Sequence, residues 1–523
     1  MLIRKEASRL LSVVVLFAIL LLPVIGSASD APIRIGSSLQ LFVDEYIIEE
    51  FRGGAHLRLH HPVAQEIVFT TSDFPWEGSS TAYGTVFQDG DIYRMYYRTS
   101  TFDMSFNLYP RILSGPSVYA YAESTDGINW TKPNLGLIEF DGIKETNIFW
   151  RGPQFAPFKD TNPDAPPEAQ YKAMADSPMF AYKSPDGVTW EKMQEGPVIT
   201  EGEFGSLNIA FWDSVNGVYR AYWRDRHLMI RTISTATSKD FINWTEPQRV
   251  VFHSPDGEPA PNFHLYKQGI LPYYRNFQIL IGFPDVYIDQ EWPEAMALDV
   301  NPGYAMNDPA YNPEHREWLK MRMHRNAAAI RNPLFMSSRD GVNFYRWNEA
   351  FLRPGPEQRA GWGYYGSGAF WGVVETQSQS VPDYRELSIY TVESYGFGSL
   401  ANIRRHTIRI DGFVSAYAPY RGGEIITKPL IFEGNYMVIN FATSAQGSIQ
   451  VEILDERGQP IPGLELVYSP LIRGDNLERI VTWRDPEGGK ERTSDLSHLA
   501  GKPIRLRFVL KDADLYSFRF VIR

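Results

Sequence analysis

The sequence predicts an all-β protein in which a five-bladed β-propeller is followed by a C-terminal β-sandwich. A short phrase built around Asp-Gly and Trp recurs along the chain as far as residue 418. The stretches before its copies contain paired strand patterns joined by tight turns, which are typical of four-stranded blades. After residue 418 the phrase stops, and alternating strands with Gly and Pro turns indicate a separate β-sandwich.

The recurring phrase has the pattern Ser-x-Asp-Gly-x-x-Trp. Copies of it occupy residues 124–130, 184–190, 238–244 and 338–344, with Phe241 in the Gly position of the third and Phe344 in the Trp position of the fourth. A fainter copy lies around residue 411. Its Asp residues are Asp126, Asp186, Asp240, Asp340 and Asp411, separated by 60, 54, 100 and 71 residues. Solenoid repeats are shorter and more regular, whereas this spacing fits four-stranded blades with decorated loops.

Turn chemistry explains the phrase without a catalytic role for its Asp residues. Ser and Asp side chains bond backbone groups of a turn, Gly supplies a positive φ, and the aromatic residue packs between neighbouring sheets. Residues 83–98 hold two strand patterns around a DGD turn, and residues 208–224 hold two around an NG turn. We therefore interpret each copy as the end of one blade.

The chain divides into three predicted segments. Residues 1–29 have the layout of a secretory signal peptide, in which three basic residues precede an apolar run and a small-residue cleavage site; an uncleaved membrane anchor is the alternative. The propeller is expected over residues 38–418, with an insertion at about 291–329 that contains one short helix, and the sandwich over residues 419–523. The mature protein is predicted to be secreted or periplasmic, without stable membrane insertion.

Composition argues against several classes of function. The 523 residues carry a formal net charge of −11 and no long run of Lys or Arg, so no nucleic-acid partner is expected. The lack of cysteine excludes disulfides and thiol chemistry. Motifs of metalloproteases, serine hydrolases, P-loops and dinucleotide-binding folds are missing. The adjacent His60 and His61 fit turn residues better than metal ligands, so neither a metal nor a cofactor is predicted; the oligomeric state is left open.

Candidate site residues are those near the first strand of each unit, because the innermost strands of a propeller meet around the central channel. The candidate catalytic residues are four carboxylates, Glu77, Asp160, Glu203 and Asp44. The candidate substrate-binding residues are Trp76, His61, Asn208, His264, Tyr266, Arg224, Trp362 and Glu375. Paired carboxylates suit the cleavage of glycosidic bonds, since one protonates the leaving oxygen and the other acts as nucleophile or base.

Several phrases resemble a group of secreted bacterial proteins described as glycoside hydrolase family 32-like, related to the five-bladed propellers of families 32, 43, 68 and 130. The phrases are LFVDEYII, DFPWEG, YRMYYR, AESTDGINWTKPNLG, FKDTNPDAPPEAQYKA, SSRDGVNF and IRIDGFVSAYA, within residues 38–523. The resemblance implies a nucleophile at Glu77, with Asp44 as its rival. It also implies that Asp160 stabilises the transition state and that Glu203 is the acid.

The resulting hypothesis is a secreted carbohydrate-active hydrolase, exo-acting on an oligo- or polysaccharide. The first alternative is a non-catalytic carbohydrate-binding propeller, because Gly205 and Asn332 stand where the resemblance implies Asp. The second alternative is a glycoside phosphorylase, with Arg224, Arg226 and Arg231 as candidate phosphate ligands. All three have a carbohydrate as partner.

Overall fold

The structure, a computed structural model, describes residues 31–77, 83–99, 117–152, 154–288, 330–353, 355, 368–393, 402–485 and 492–523. The expected signal peptide, the expected insertion with its helix, and Trp362 lie outside the described residues. Regular structure in the described part is β-strand, apart from the 3-10 helices Pro167–Ala169 and Ser497–Leu499. The predicted all-β class is therefore confirmed. In that part of the chain no helix has the length and apolar character needed to cross a membrane.

The first five strands lie at the edges of sheets completed by the far end of the chain. They are β1 Ile33–Gly36, β2 Gln40–Leu41, β3 Ile48–Gly53, β4 His56–Leu59 and β5 Val63–Thr70. Their hydrogen-bonded partners all lie beyond residue 400.

The first sheet of the repeat region is antiparallel and contains the strands predicted around the DGD turn. Its strands are β6 Gly84–Asp89, β7 Ile92–Thr99, β8 Val118–Ser124, β9 Trp130–Thr131 and β10 Ile148–Arg151. The order is β10-β8-β7-β6, with β9 also paired to β8. Tyr93, Met95 and Tyr97 of β7 face the fifth sheet, whereas Tyr96 packs toward the second sheet, as the two-residue period of a strand requires.

The second and third sheets each have four antiparallel strands in chain order. The second holds β11 Phe155–Lys159, β12 Tyr171–Ala175, β13 Phe180–Ser184 and β14 Glu191–Lys192. The third holds β15 Ile209–Asp213, β16 Val218–His227, β17 Ile230–Ser238 and β18 Gln248–Arg249. Strands β16 and β17 pair along their whole length, so their hairpin is longer than the strands beside it.

The fourth sheet is split by a proline. Its strands are β19 Val251–His253, β20 His264–Leu265, β21 Leu271–Tyr273, β22 Asn276–Gly282, β23 Asp285–Ile288, β24 Ile330–Pro333, β25 Met336–Ser338 and β26 Asn343–Arg346. Five of them form the order β19-β26-β25-β22-β21, and β20-β23-β24 continue it. The break between β22 and β23 contains Pro284, which has no N–H to donate to the ladder.

The fifth sheet is closed by the start of the chain. It contains β27 Gly368–Ala369, β28 Val374–Gln377, β29 Arg385–Glu393 and β30 Asn402–Arg409. Its order is β27-β29-β30-β5, so residues 63–70 supply the outer strand. The five sheets contact one another in a closed series, from β6 to β11, β11 to β15, β17 to β20, β24 to β27 and β28 back to β6.

The last eight strands follow, and six of them join β1 to β4 in a ten-stranded sheet. They are β31 Val414–Ala418, β32 Gly423–Thr427, β33 Leu430–Phe432, β34 Tyr436–Asp455, β35 Asp475–Ile480, β36 Trp483–Arg484, β37 Arg492–Thr493 and β38 Pro503–Val521. Strands β1 to β4 pair with β31, β32, β33 and β38, whereas β36 and β37 form a separate pair. Residues 40–59, expected in the propeller, thus pair with this C-terminal part.

The turn reading of the recurring phrase is confirmed. Asp126 Oδ1 accepts hydrogen bonds from the amides of Ile128 and Asn129 at 2.8 and 2.7 Å, and Ser124 donates to the same oxygen. The pattern returns around Asp186, Asp240 and Asp340. The indole of Trp130 packs edge-on against Tyr390 of the fifth sheet.

The third and fifth copies depart from the pattern for identifiable reasons. Phe241 replaces Gly in the third copy and has φ +67°, a conformation that costs a bulky residue free energy. Its ring is fully buried against Phe158, Tyr219 and Trp244, which offsets that strain. Asp411 of the fifth copy is a buried acceptor for Tyr273, Arg275, Asn440 and Ser517, and it ties the fourth sheet to the ten-stranded sheet.

Replacement of Asp240 by Ala should lower the free energy of unfolding by about 1–2 kcal/mol, because it removes an acceptor that satisfies two turn amides. Asp240→Asn keeps an acceptor oxygen and is the matched control, with a smaller expected loss. Urea denaturation at neutral pH measures both. Equal stability of wild type and Asp240→Ala would contradict the structural role.

The stability difference between wild type and Asp240→Ala is expected to depend on pH. Burial opposes ionisation of Asp240, but hydrogen bonds from Asn243, Ile242 and Ser238 outweigh it and lower the pKa to about 2. A lowered carboxyl pKa contributes stability that is present above the unfolded value near 4 and is lost as the pH falls towards 2. The stability difference between wild type and Asp240→Ala should therefore shrink across that window.

Candidate active site

The first strands of neighbouring sheets begin beside one another, and we call this the leading end of the ring. Asn208, just before β15, donates to Gln154, just before β11, at 3.3 Å. Lys267, on the approach to β21, donates to the carbonyl of Ala369 in β27 at 2.7 Å. Trp371 forms a parallel bridge with Thr85 of β6. The leading end therefore combines residues from all five sheets.

Three arginines share one face of the long β16–β17 hairpin at this end. Arg226 lies directly opposite Arg231 in the register, and Arg224 lies two residues before Arg226 on the same strand face. Like charges directly across a strand pair are destabilising unless they are compensated. Glu203 compensates Arg226 through a two-pronged ion pair, with Nε–Oε1 at 2.6 Å and Nη2–Oε2 at 3.1 Å.

Two tyrosines of the fourth sheet lie against the other two arginines. The Cζ atom of Arg224 is 5.4 Å from the ring centroid of Tyr266, and that of Arg231 is 5.9 Å from the same centroid and 5.0 Å from that of Tyr287. The two rings are nearly parallel, with centroids 6.5 Å apart. We call these four residues the arginine–tyrosine cluster. His264 adjoins it, since its Nδ1 accepts the amide of Arg231 at 3.3 Å.

The missing side chain of Gly205 makes room for Arg224. A Cβ atom on Gly205 would lie 1.8 Å from Arg224 Nη2, closer than any real contact. The Nε of Arg224 donates to the carbonyl of Glu203 at 3.2 Å, which fixes the guanidinium beside the same loop. The sequence has Gly205 where the resemblance implies Asp. The lack of a side chain at Gly205 allows the Arg224 guanidinium to lie beside this loop.

Buried polar atoms line the loop before β15. The Asn208 side chain is 1% exposed, and its amide donates to Gln154 and to the carbonyl of Phe204. Its Oδ1 and the hydroxyl of the buried Ser206 have no hydrogen-bond partner among the described residues. These oxygens lie in the same short loop as Glu203 and Gly205.

A buried ion triad that the sequence reasoning missed lies behind the tyrosines. Asp285 is fully buried, with Oδ2 at 3.4 Å from Lys267 Nζ and 3.5 Å from Arg331 Nε. Burial lowers the pKa of Lys267, and the charge of Asp285 opposes that shift. Tyr266 donates its amide to the carbonyl of Asp285 at 2.7 Å, so the triad and the cluster share one strand pair. The sequence signal for this triad was a charged residue, Asp285, inside the apolar run 276–288.

Glu77, the predicted nucleophile, is buried beside a lysine. Its side chain is 0% exposed, and Oε1 lies 2.8 Å from Lys132 Nζ and 2.6 Å from the hydroxyl of Tyr97. Burial and the Glu77 charge raise the pKa of Tyr97 well above its usual range. The neighbouring Trp76 is also buried and donates to Asn147 at 2.8 Å. Both residues hold the outer part of the first sheet together.

Asp160 follows the first strand of its sheet, whereas Gln154 precedes it, so the two lie at opposite ends of β11. The Asp160 carboxylate is buried with the ammonium of Lys172 and accepts the hydroxyl of Tyr219 at 2.7 Å. The adjacent amide of Asn162 donates to its other oxygen at 2.9 Å. Nearby, a cavity of about 720 Å³ is lined by residues that include Lys172 and Tyr219.

The other predicted residues make their described contacts away from the cluster. Asp44 is buried and bonded to Arg339 at 2.9 and 3.1 Å. His61 bonds the carbonyl of Phe351 at 3.1 Å, and Glu375 pairs with Arg385 and Tyr274. Trp362 lies outside the described residues. The structure thus groups Glu203, Asn208, Arg224, His264 and Tyr266 at the leading end and does not join Glu77, Asp160 or Asp44 to them through a described contact.

Among the described residues, no group of three His, Asp or Glu side chains is arranged to hold a metal ion.

No family model matches the sequence, and the comparison with curated proteins finds no match. Among solved structures, the chain is similar to a family 32 β-fructofuranosidase from Bombyx mori, with 10% identity, a TM-score of 0.35 and coverage of 89% of this chain and 95% of that chain. It is also similar to a β-1,2-mannobiose phosphorylase from Listeria innocua, with 12% identity, a TM-score of 0.41 and coverage of 67% and 97%.

A thermostable family 43 glycoside hydrolase gives 12% identity, a TM-score of 0.38 and coverage of 67% and 96%. The structures found are thus glycoside hydrolases of families 32 and 43 and a phosphorylase. At these identities and TM-scores the likeness decides nothing about activity.

Lys132→Met should lower the free energy of unfolding by about 3–5 kcal/mol, because it leaves the Glu77 carboxylate buried without its cation. Adding Glu77→Gln removes that charge and should recover more than about 1 kcal/mol of the loss. Urea denaturation of the four proteins of this cycle measures the coupling. Lys183→Met, whose partner Glu191 is exposed, is the control and should cost less than about 1 kcal/mol. Additive losses in the cycle would contradict the structural assignment of Glu77.

Proposed function

We propose that the chain is an exported carbohydrate-active hydrolase built on a five-bladed propeller, with residues 419–523 as a C-terminal β-sandwich. The closed series of sheet contacts and the outer strand supplied by residues 63–70 support the propeller. The long antiparallel pair of β34 and β38, with its buried apolar face, supports the sandwich. The basic and apolar pattern of residues 1–29 supports export.

One observation carries the catalytic part of the proposal. Glu203 is a half-exposed carboxylate at the leading end, with 38% of its side chain open to solvent. Binding sites of enzymes place a few polar groups beside aromatic walls at one concave end of the fold. Glu203 has polar and aromatic neighbours of this kind, because the arginine–tyrosine cluster and the buried polar atoms of Ser206 and Asn208 adjoin its loop.

The ion pair with Arg226 bears on the role of Glu203. One guanidinium contacts both carboxylate oxygens, so release of a proton by Glu203 would first require that pair to open. The geometry therefore suits a nucleophile or general base better than the acid role implied by the resemblance. In such a mechanism Arg226 orients the carboxylate toward the sugar.

A non-catalytic carbohydrate-binding protein is the second candidate, and a specific observation favours it. Cleavage by a carboxylate pair needs a second carboxyl group within about 5–10 Å of the first. The three other predicted carboxylates are each buried beside a cation, namely Lys132, Lys172 and Arg339. Asp285 is likewise enclosed by Lys267 and Arg331.

Turnover by a Glu203→Gln variant separates the two candidates. If Glu203 is the base or nucleophile, this exchange should reduce kcat by about 10²-fold or more at nearly unchanged side-chain size. Wild type is first screened on aryl glycosides and oligosaccharides to find a substrate. Glu191→Gln, an exposed carboxylate on β14, is the control and should retain full activity.

Three results are informative. Loss of turnover in Glu203→Gln alone supports the hydrolase. Sugar binding by wild type without turnover on any glycoside selects the binding protein. Full activity of Glu203→Gln would contradict a catalytic role for this residue.

A further inference from the structure

We propose that the arginine–tyrosine cluster recognises an oxyanion carried by the sugar itself, the carboxylate of a uronic acid or a sulfate ester. This inference rests on the proposed carbohydrate site and names the class of sugar that it binds. The cluster comprises Arg224, Arg231, Tyr266 and Tyr287, as defined above.

The β16–β17 hairpin carries more positive than negative charge at the leading end, among the described residues. Three guanidinium groups lie on one face of the β16–β17 hairpin, and Glu203 engages both of its oxygens with Arg226. Asp225 points to the other face of the strand, where it accepts the hydroxyl of Ser234 at 2.7 Å. Arg224 and Arg231 therefore leave two positive charges uncompensated among the described residues.

The guanidinium donors of Arg224 and Arg231 are only partly used among the described residues. Arg224 uses Nε on the carbonyl of Glu203, and its two terminal nitrogens make no hydrogen bond within the described part of the chain. Arg231 has a buried Nε with no partner there. A buried guanidinium donor without an acceptor is costly. A carboxylate or sulfate satisfies such forked donors two at a time, which a neutral hydroxyl does not.

Tyrosine rings support the guanidinium groups of Arg224 and Arg231 in the absence of a counter-ion. Both guanidinium groups lie over tyrosine rings, whose negative faces attract cations. Gly205 gives Arg224 the space for this position, since any side chain there would displace it. The arrangement holds two arginines at the same ring, on a chain whose overall charge is −11. A local excess of positive charge on an acidic protein fits a specific anion better than general electrostatic attraction.

The neighbouring acceptors fit the remainder of a sugar. The hydroxyl of Ser206 and Oδ1 of Asn208 are buried and lack described partners, so each holds unused acceptor capacity in the loop beside the cationic groups. Cationic and acceptor groups thus adjoin the same loop, residues 203–208. A ligand with one anionic group and several hydroxyls matches both.

The first experiment measures anion binding with simple salts, so it requires no particular glycan. The thermal unfolding temperature of wild type is measured with sodium glucuronate, sodium sulfate, sodium phosphate and sodium chloride at equal ionic strength. Glucuronate or sulfate should raise it above the chloride value by more than the general stabilisation that the same salt gives Arg224→Gln and Arg231→Gln, and this excess should be absent in both variants. Arg249→Gln, an exposed arginine on β18 of the same sheet, is the matched control and should keep it.

The second arm uses paired glycans. Oligogalacturonides are compared with their methyl esters, and sulfated oligosaccharides with their desulfated forms, in binding and turnover assays. The anionic member of at least one pair should bind about tenfold or more tightly, and Arg231→Gln should remove that preference. Gly205→Ala should act in the same direction, because its Cβ displaces the Arg224 guanidinium.

The outcomes separate this inference from the proposed function. Turnover of neutral glycosides with no preference for anionic ones would overturn the inference and leave the hydrolase standing. Preference for anionic glycans without turnover of any glycan supports the inference and selects the binding protein. A temperature increase with phosphate alone, or phosphate-dependent turnover of neutral sugars, would assign the arginines to free phosphate and overturn the inference. Equal temperatures in all four salts, or increases retained in both arginine variants, would also overturn it.

Discussion

The rest of the structure depends on the hydrogen bonds between β5 and β30. They join residues 63–70 to residues 402–409 and thereby attach the fifth sheet to the start of the repeat region. Each sheet has apolar side chains on both faces and buries them only if it has a neighbour on each side. Closure provides that neighbour for the first and fifth sheets. It also gathers the first strands at one end, where Glu203 and the arginine–tyrosine cluster lie.

Much of this fold could be predicted because its signals are local. The alternation in β7, the DGD turn and the Asp-centred turns each depend on residues within a few positions of one another. The pairing of residues 33–59 with the C-terminal strands is not local, and an edge strand carries no mark of its distant partner. The strained conformation of Phe241 is set by tertiary packing, which overrides turn preferences.

The candidate site was predicted in part, and the reason lies in burial. Glu203, Asn208 and Tyr266 were found because residues that precede first strands meet at one end of the ring. No described contact joins Glu77 or Asp160 to that group. An acidic residue in a loop has the same appearance in the sequence whether it faces solvent or a buried lysine. The partner of Glu77, Lys132, is 55 residues away. A family phrase therefore identifies the loop but not the electrostatic environment of its carboxylate.

The central claim is that the sugar binds at the leading end, beside Glu203 and the arginine–tyrosine cluster. A crystal structure of the protein soaked with an oligosaccharide selected by the binding screen tests it most directly. The account predicts sugar density in contact with Glu203, Arg224 and Tyr266. Density confined to the cavity of about 720 Å³ at the other end of β11, against Lys172 and Tyr219, would contradict it.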